Sequence, residues 1–137
     1  MILDSSAIAS MFFKDNYTER VRKLIANSGS EECKTLDFAY AEVSNVAWKR
    51  IISFGENQEY VLKNLKLAID FLNKMCEITK VREIIDETVE LALMEKTSFY
   101  DTAFLQLAMI NNDKLLTIDL KFYNKLEQKY KKFVIIP

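Results

Sequence analysis

Four acidic residues stand where this chain could do chemistry: Asp4, Glu42, Asp101 and Asp119. Two fall in one stretch, SFYDTAFLQLAMINNDKLLTID, where Asp101 opens an apolar helical pattern and Asp119 follows a short apolar run. Other routes to catalysis are closed. There is no histidine, which removes Ser-His-Asp triads, Cys–His pairs and histidine-based zinc clusters. The two glycines, Gly29 and Gly55, are isolated, so neither GxGxxG nor a phosphate-cradling P-loop exists. Cys33 and Cys76 are far apart in sequence and lack CxxC spacing. Two buried thiols of a reduced, cytoplasmic protein are therefore expected, not a zinc site or a redox pair.

Carboxylates without histidine point to a hard cation. Two carboxylates ~4 Å apart repel by about 4 kcal/mol at an effective dielectric of 20. A site gathering four would raise their pKa values or recruit a divalent ion. Oxygen donors suit Mg²⁺ or Mn²⁺, not zinc or copper. Each acid also has a purely structural reading. Ser98 to Asp101 has the S-x-x-D spacing of a capping box. Asp4 and Asp119 can each N-cap the helix that follows, and Glu42 can be a solvated helix residue. The choice depends on whether the fold brings the acids together.

The elements that would do so follow from the hydrophobic pattern. MILD reads as a short buried strand ending at Asp4, and Ser5 and Ser6 offer cap hydroxyls to a helix through AIASMFF. YTERVRKLIANSG is a second helix stopped at Gly29, KTLDF a strand, and AYAEVSNVAWKRIIS a helix ending near Gly55. The long helix ENQEYVLKNLKLAIDFLNKM carries Val61, Leu65, Ala68 and Leu72 at helical spacing. CEIT is a strand, followed by helices through VREIIDETVELALMEK and FYDTAFLQLAMIN. The strand KLLTI, a helix LKFYNKLEQKY and a final strand KFVII complete the chain.

Alternating strands and helices imply a three-layer α/β/α sandwich around a mostly parallel sheet. With 137 residues, half of them apolar, and no linker or repeat, one domain over 1–137 is expected. MILD has no basic segment ahead of an apolar run, so no secretory signal is expected. No apolar segment approaches the ~18 residues that span a bilayer, so no membrane association is expected either. Open parallel sheets bind ligands beyond the carboxyl ends of their strands, where strand order reverses. Asp4 and Asp119 lie at that edge, and become neighbours only if their two strands are adjacent. Asp101 opens the helix running into KLLTI, and Glu42 lies early in the helix after KTLDF.

LDSS (Asp4), AYAEVSNVAWK (Glu42), SFYDTAFLQLA (Asp101) and LLTIDLKF (Thr117, Asp119), taken in order, resemble the PIN-domain ribonucleases. In size and order the chain is similar to VapC-type toxins of toxin–antitoxin pairs. One departure is Ser6, where the family often carries Asn. The resemblance implies a five-stranded parallel sheet with the first and fourth strands side by side. It also implies RNA phosphodiester hydrolysis with one or two Mg²⁺ or Mn²⁺ ions among Asp4, Asp101 and Asp119, and Glu42 completing the pocket. Ser6 and Thr117 would orient a carboxylate or a water, though Ser6 also suits a cap and Thr117 a satisfied strand position. A homodimer and a small neutralising antitoxin follow from the same resemblance.

An acidic site must still attract a polyanion. The formal net charge is −1, so the chain carries +3 once the four acids are set aside. Lys121, Lys125, Lys129 and Lys132 recur at helical spacing opposite Tyr123, Leu126 and Tyr130. Like charges at that spacing weaken a helix, so the stripe either tracks phosphates or is a solvated face. Lys49 shares a helix face with Glu42 and Asn45. Tyr60, Leu62, Ile69 and Phe71 on the long helix suit a dimer or antitoxin face as well as the core. Rival readings fit less well. A receiver domain needs an acidic pair after its first strand and a haloacid-dehalogenase phosphatase needs D-x-D, but here Asp4 is followed by Ser5 and Ser6. A non-catalytic module on this fold has no need of clustered acids.

Overall fold

The computed structural model describes residues 1–28 and 33–137. Within them the order is β1 (Ile2–Leu3), α1 (Ser5–Phe12), α2 (Thr18–Asn27), β2 (Cys33–Leu36), α3 (Ala39–Ile52) and α4 (Gln58–Met75). Then come β3 (Cys76–Thr79), a 3₁₀ turn (Val81–Glu83), α5 (Ile85–Glu95), α6 (Phe99–Ile110) and β4 (Leu115–Leu116). α7 (Leu120–Lys125), α8 (Gln128–Lys131) and β5 (Val134–Ile135) close the chain. The expected stop of α2 at Gly29 lies outside the described residues.

All five strands are parallel, in the order β3-β2-β1-β4-β5. Ile2, Leu3, Leu36 and Leu116 are wholly buried, as strands covered by helices on both faces must be. On the described residues, α1 packs with α2, α3 and α4, while α5 packs with α6. α6 lies against β1, β2 and β4. Phe13, Ile8, Val43, Val61, Leu72, Leu105 and Leu107 fill the space between these layers. α4 divides its apolar residues. Ile69 and Phe71 pack on the core, while Tyr60 and Leu62 are about half exposed. Gly55, three residues past the end of α3, has φ +66°, which glycine adopts at little steric cost.

Strand order turns at β1. The chain moves outward to β2 and β3 on one side, then returns to β4 and β5 on the other. β1 and β4 are paired, with Ile2 opposite Leu115 and Leu3 opposite Leu116. The residues just past these strands, Asp4 and Thr117, therefore face the gap where the connections diverge.

Three expectations need correction. α1 is capped not by Ser5 or Ser6 but by Asp4, the other cap the sequence offers there, whose Oδ1 accepts from Ala7 N–H at 2.7 Å. Cys33 and Cys76 are both free, but only Cys33 is buried, Cys76 being partly exposed, and the two are direct register partners on β2 and β3. Sequence separation says nothing about distance across a parallel ladder. The third correction concerns LKFYNKLEQKY, which is two short helices. Leu126 and Glu127 have extended backbones with ψ 141° and 152°. Leu126 turns into the core, and the buried Glu95 carboxylate takes the Glu127 N–H at 2.8 Å. That N–H would otherwise have continued the helical ladder. Lys121 and Lys125 thus share α7, whereas Lys129 lies on α8 and Lys132 just past its end, so the four do not form one face.

Candidate active site

Four helices begin beyond the carboxyl ends of the strands, and each carries an acid in or beside its first turn. Asp4 is the N-cap of α1 and Asp119 the N-cap of α7, its Oδ1 accepting from Phe122 N–H at 2.9 Å. Asp101 lies in the first turn of α6 and accepts from the N-cap Ser98 hydroxyl at 2.6 Å, while its own N–H donates back to Ser98 Oγ at 3.1 Å. Glu42 lies in the first turn of α3. Capping and pocket formation therefore coexist in the same residues. The partial positive charge at a helix N-terminus favours a carboxylate there, and four such ends meet at one sheet edge.

Asp4, Glu42, Asp101 and Asp119 line a single pocket of about 250 Å³. Its floor is tied together by hydroxyls. Ser6 Oγ donates to Asp4 Oδ1 at 2.7 Å and accepts from Ile118 N–H at 3.1 Å, joining the β1–α1 turn to the β4–α7 turn. The wholly buried Thr117 accepts from Asp119 N–H at 3.0 Å and lies 3.4 Å from Ser6 Oγ. Asn45, Val46 and Lys49 on α3 and Phe104 on α6 complete the lining.

The electrostatics follow from burial and proximity. Burial pushes Asp4 up to about 6, against the hydroxyls of Thr117 and Ser6 and the Ala7 N–H, which lower it; the Asp101 charge adds to the rise. Burial also raises Glu42, with the Ser5 hydroxyl opposing and Asp101 adding. Asp101 is itself raised by burial and by Asp119, and lowered by Ser98 and Lys125. Asp101 is thus the centre of mutual repulsion, linked to each of the other three acids.

The acids share a pocket but do not form a cage. Among the described residues, no three acidic, cysteine or histidine side chains stand close enough to hold one ion together. Asp4, Asp101 and Asp119, expected to bind one or two ions among them, line the pocket without a preformed three-ligand group. Each of these carboxylates is tied back to its own helix start, and their charges repel. The donor chemistry nevertheless fits a hard cation. Mg²⁺ is usually held by one or two carboxylates and keeps several waters, and this pocket offers oxygen donors only.

The lysines separate into two groups. Lys49 lines the pocket, and the Lys125 charge reaches Asp101. Lys121 is exposed one turn earlier on α7. Lys129 is paired with Glu127 at 2.9 Å, and Lys132 sits over the Phe133 ring, 5.0 Å from its centroid. Ser5, expected only as a cap, does something else. It is buried, and its Oγ donates to Glu42 Oε2 at 2.5 Å. No sequence signal marks that pair, since the partners are 37 residues apart on different helices.

A parallel α/β/α architecture with acids at its strand-order reversal defines a known class. The chain matches the PIN domain over residues 1–126 and belongs to that family. It is 28% identical over 125 residues to Ribonuclease VapC3 of Pyrobaculum aerophilum, covering 91% of this chain and 93% of that one. Its fold is that of the Mycobacterium tuberculosis VapC20 toxin, with a TM-score of 0.69 at 14% identity over 90% of this chain and 92% of the other. PAE2754 of Pyrobaculum aerophilum has a TM-score of 0.66 at 19% identity, over 92% and 78% respectively. No helix among the described residues is long and apolar enough to cross a membrane.

Proposed function

We infer that this chain is a metal-dependent endoribonuclease, the toxin of a toxin–antitoxin pair, acting in the cytoplasm as one domain over 1–137. The observation that carries this reading is the position of Asp101, whose charge couples to Asp4, Glu42 and Asp119 in one open pocket. Gathering such charge is unfavourable unless a cation offsets it. Family membership and the likeness to Ribonuclease VapC3 support the same reading.

One or two Mg²⁺ or Mn²⁺ ions would bind among Asp4, Asp101 and Asp119, each held by one or two carboxylates and keeping several waters, with Glu42 beside them. Such an ion, when bound, supplies positive charge against the phosphate oxygens and a water of lowered pKa. The chain's own residues supply orientation. Ser6 and Thr117 hold Asp4 and the backbone of Asp119 in place. Lys49 and Lys125 bring positive charge to the rim, where a phosphate backbone would pass. Exposed apolar residues on α4 and α5, among them Leu62, Leu93 and Met94, are available to a second copy or to an antitoxin.

The test is cleavage of RNA by the purified protein. We expect activity with Mg²⁺ or Mn²⁺, none in EDTA, and products with 5′-phosphate and 3′-hydroxyl ends. Attack by the ribose 2′-hydroxyl leaves a cyclic phosphate instead, and usually recruits a histidine, which this chain lacks. Full cleavage in EDTA, or cyclic-phosphate ends, overturns the mechanism.

A further inference from the structure

We propose that Ser5 is a positioning residue that holds Glu42 in the pocket by tying down one of its two carboxylate oxygens. This rests on the ribonuclease reading above and assigns the first helical residue of α1 a part in it.

The geometry is specific. Ser5 is 7% exposed and is the first residue of α1, yet its hydroxyl is not needed to cap that helix, because Asp4 already does so. Its Oγ instead crosses to α3 and donates to Glu42 Oε2 at 2.5 Å. Among the described residues, Ser5 is the hydrogen-bond partner of the Glu42 side chain, and Oε1 receives no protein donor. Glu42 is half-buried on a helix whose outer faces are open to water. A glutamate with three rotatable side-chain bonds gains freedom and solvation by swinging outward. The hydroxyl opposes that swing.

Adjacent serines thus serve different acids. Ser6 donates to Asp4, and Ser5, turned about 100° around the helix, donates to Glu42. Both lie in the turn after β1, so one short segment sets the direction of two carboxylates that come from different elements. A hydroxyl donating to a carboxylate contributes one hydrogen bond's worth of stability and no more. It is an effective way to fix a side chain's direction.

The test compares Ser5→Ala, Ser5→Thr, Glu42→Ala and the double variant Ser5→Ala/Glu42→Ala. Supporting-contact changes around metal ligands typically cost about 10–100-fold. Ser5→Ala should lower kcat by that amount, with KM for RNA little changed and the melting temperature kept within a few degrees. Ser5→Thr, which keeps the hydroxyl, should recover most of the rate. In the Glu42→Ala background the serine change should cost nothing further, because both act through one group. Mn²⁺ binding, followed by the loss of the free-ion EPR signal, should weaken similarly in Ser5→Ala and Glu42→Ala, and no further in the double variant. Parental kcat in Ser5→Ala, or losses that multiply in the double variant, overturns the inference. If the parent neither cleaves RNA nor binds Mn²⁺, the ribonuclease reading has failed. The crystal structure of metal-free Ser5→Ala then decides the role of Ser5. Glu42 unmoved in that structure refutes it, and Glu42 displaced into solvent upholds it.

Discussion

Asp4 and Asp37 each follow a parallel strand at the same edge of the sheet, on neighbouring strands, and the fold treats them differently. Asp37, after β2, accepts from Val81 N–H at 3.1 Å, and its own N–H donates to the Thr79 carbonyl at 3.0 Å. The chain leaving β3 runs directly past it and uses its carboxylate as a local tie. Asp4, after β1, stands where the connections from β1 and β4 diverge. Its N–H still reaches the Leu116 carbonyl across the ladder at 3.3 Å, but its carboxylate is capped, bonded to Ser6 and left facing other acids. The difference lies not in the residue but in the strand order. An acid beside a continuing connection becomes structural, and an acid at the reversal becomes part of a pocket.

The largest effect that could break this comparison is on catalysis. Asp4→Asn keeps a competent N-cap but removes the charge, and RNA cleavage should fall by about 10²-fold or more, the scale of losing one preorganised electrostatic contact. Asp37→Ala should leave cleavage within about threefold and instead reduce folding stability by ~1 kcal/mol, the worth of one hydrogen bond. Single-turnover cleavage and denaturant melts of both variants measure this. A comparable loss of cleavage in Asp37→Ala would mean that the edge acts as one acidic surface and the reversal has no special status.

Much of this was legible in the chain, for identifiable reasons. The helices α3, α4 and α6 were readable because their apolar residues recur at the helical period. The two-residue strands β1 and β4 were readable because short apolar runs end at acids. Asp4 and Asp119 could be placed at the carboxyl edge from local pattern alone, but the adjacency of β1 and β4 came only from family resemblance. What stayed hidden depends on partners far along the chain. The break at Leu126–Glu127 is set by Glu95, 32 residues earlier. The Cys33–Cys76 pairing is a matter of register, and the Ser5–Glu42 bond joins two helices. Helical spacing assumed an unbroken helix through the lysines, and a single buried carboxylate broke it.

An intermediate effect sharpens the comparison by measuring what the reversal costs. Burial holds the Asp4 carboxyl at about 6 in the folded protein, against ~3.9 in an unfolded chain. The folded state therefore binds the proton more tightly. The stability this adds is present below about pH 4 and lost as pH rises through about 6. Metal-free protein should be on the order of 2 kcal/mol less stable at pH 7 than at pH 4 on account of Asp4. Glu42 and Asp101 are raised as well and add to the decline with the same sign. Thermal melts in EDTA should show the decline in the parent and a smaller one in Asp4→Asn. Saturating Mg²⁺ should reverse it near neutral pH. A parent that instead gains stability between pH 4 and 7 in EDTA would show that the acids are satisfied as ions, and that the pocket carries no uncompensated repulsion.

The smallest effect concerns the rim, where the lysines either belong to the pocket or do not. Lys49 lines it and Lys125 acts on Asp101. Lys129 is already paired with Glu127, and Lys132 lies over Phe133 beyond the break. Each phosphate contact on single-stranded RNA contributes about 0.7 to the slope of log affinity against log salt. With cleavage blocked by EDTA, Lys49→Ala and Lys125→Ala should each flatten that slope by roughly this amount. Lys129→Ala and Lys132→Ala should leave it within error. Affinity at a single salt concentration would not separate the two groups, because a general change in net charge weakens all four variants slightly. The slope counts released counter-ions, and so registers contacts made at the rim. If Lys129→Ala and Lys132→Ala flatten it as much as Lys49→Ala, RNA runs along α8 and not past the carboxylates. The pocket would then have to reach its phosphate from a strand held elsewhere.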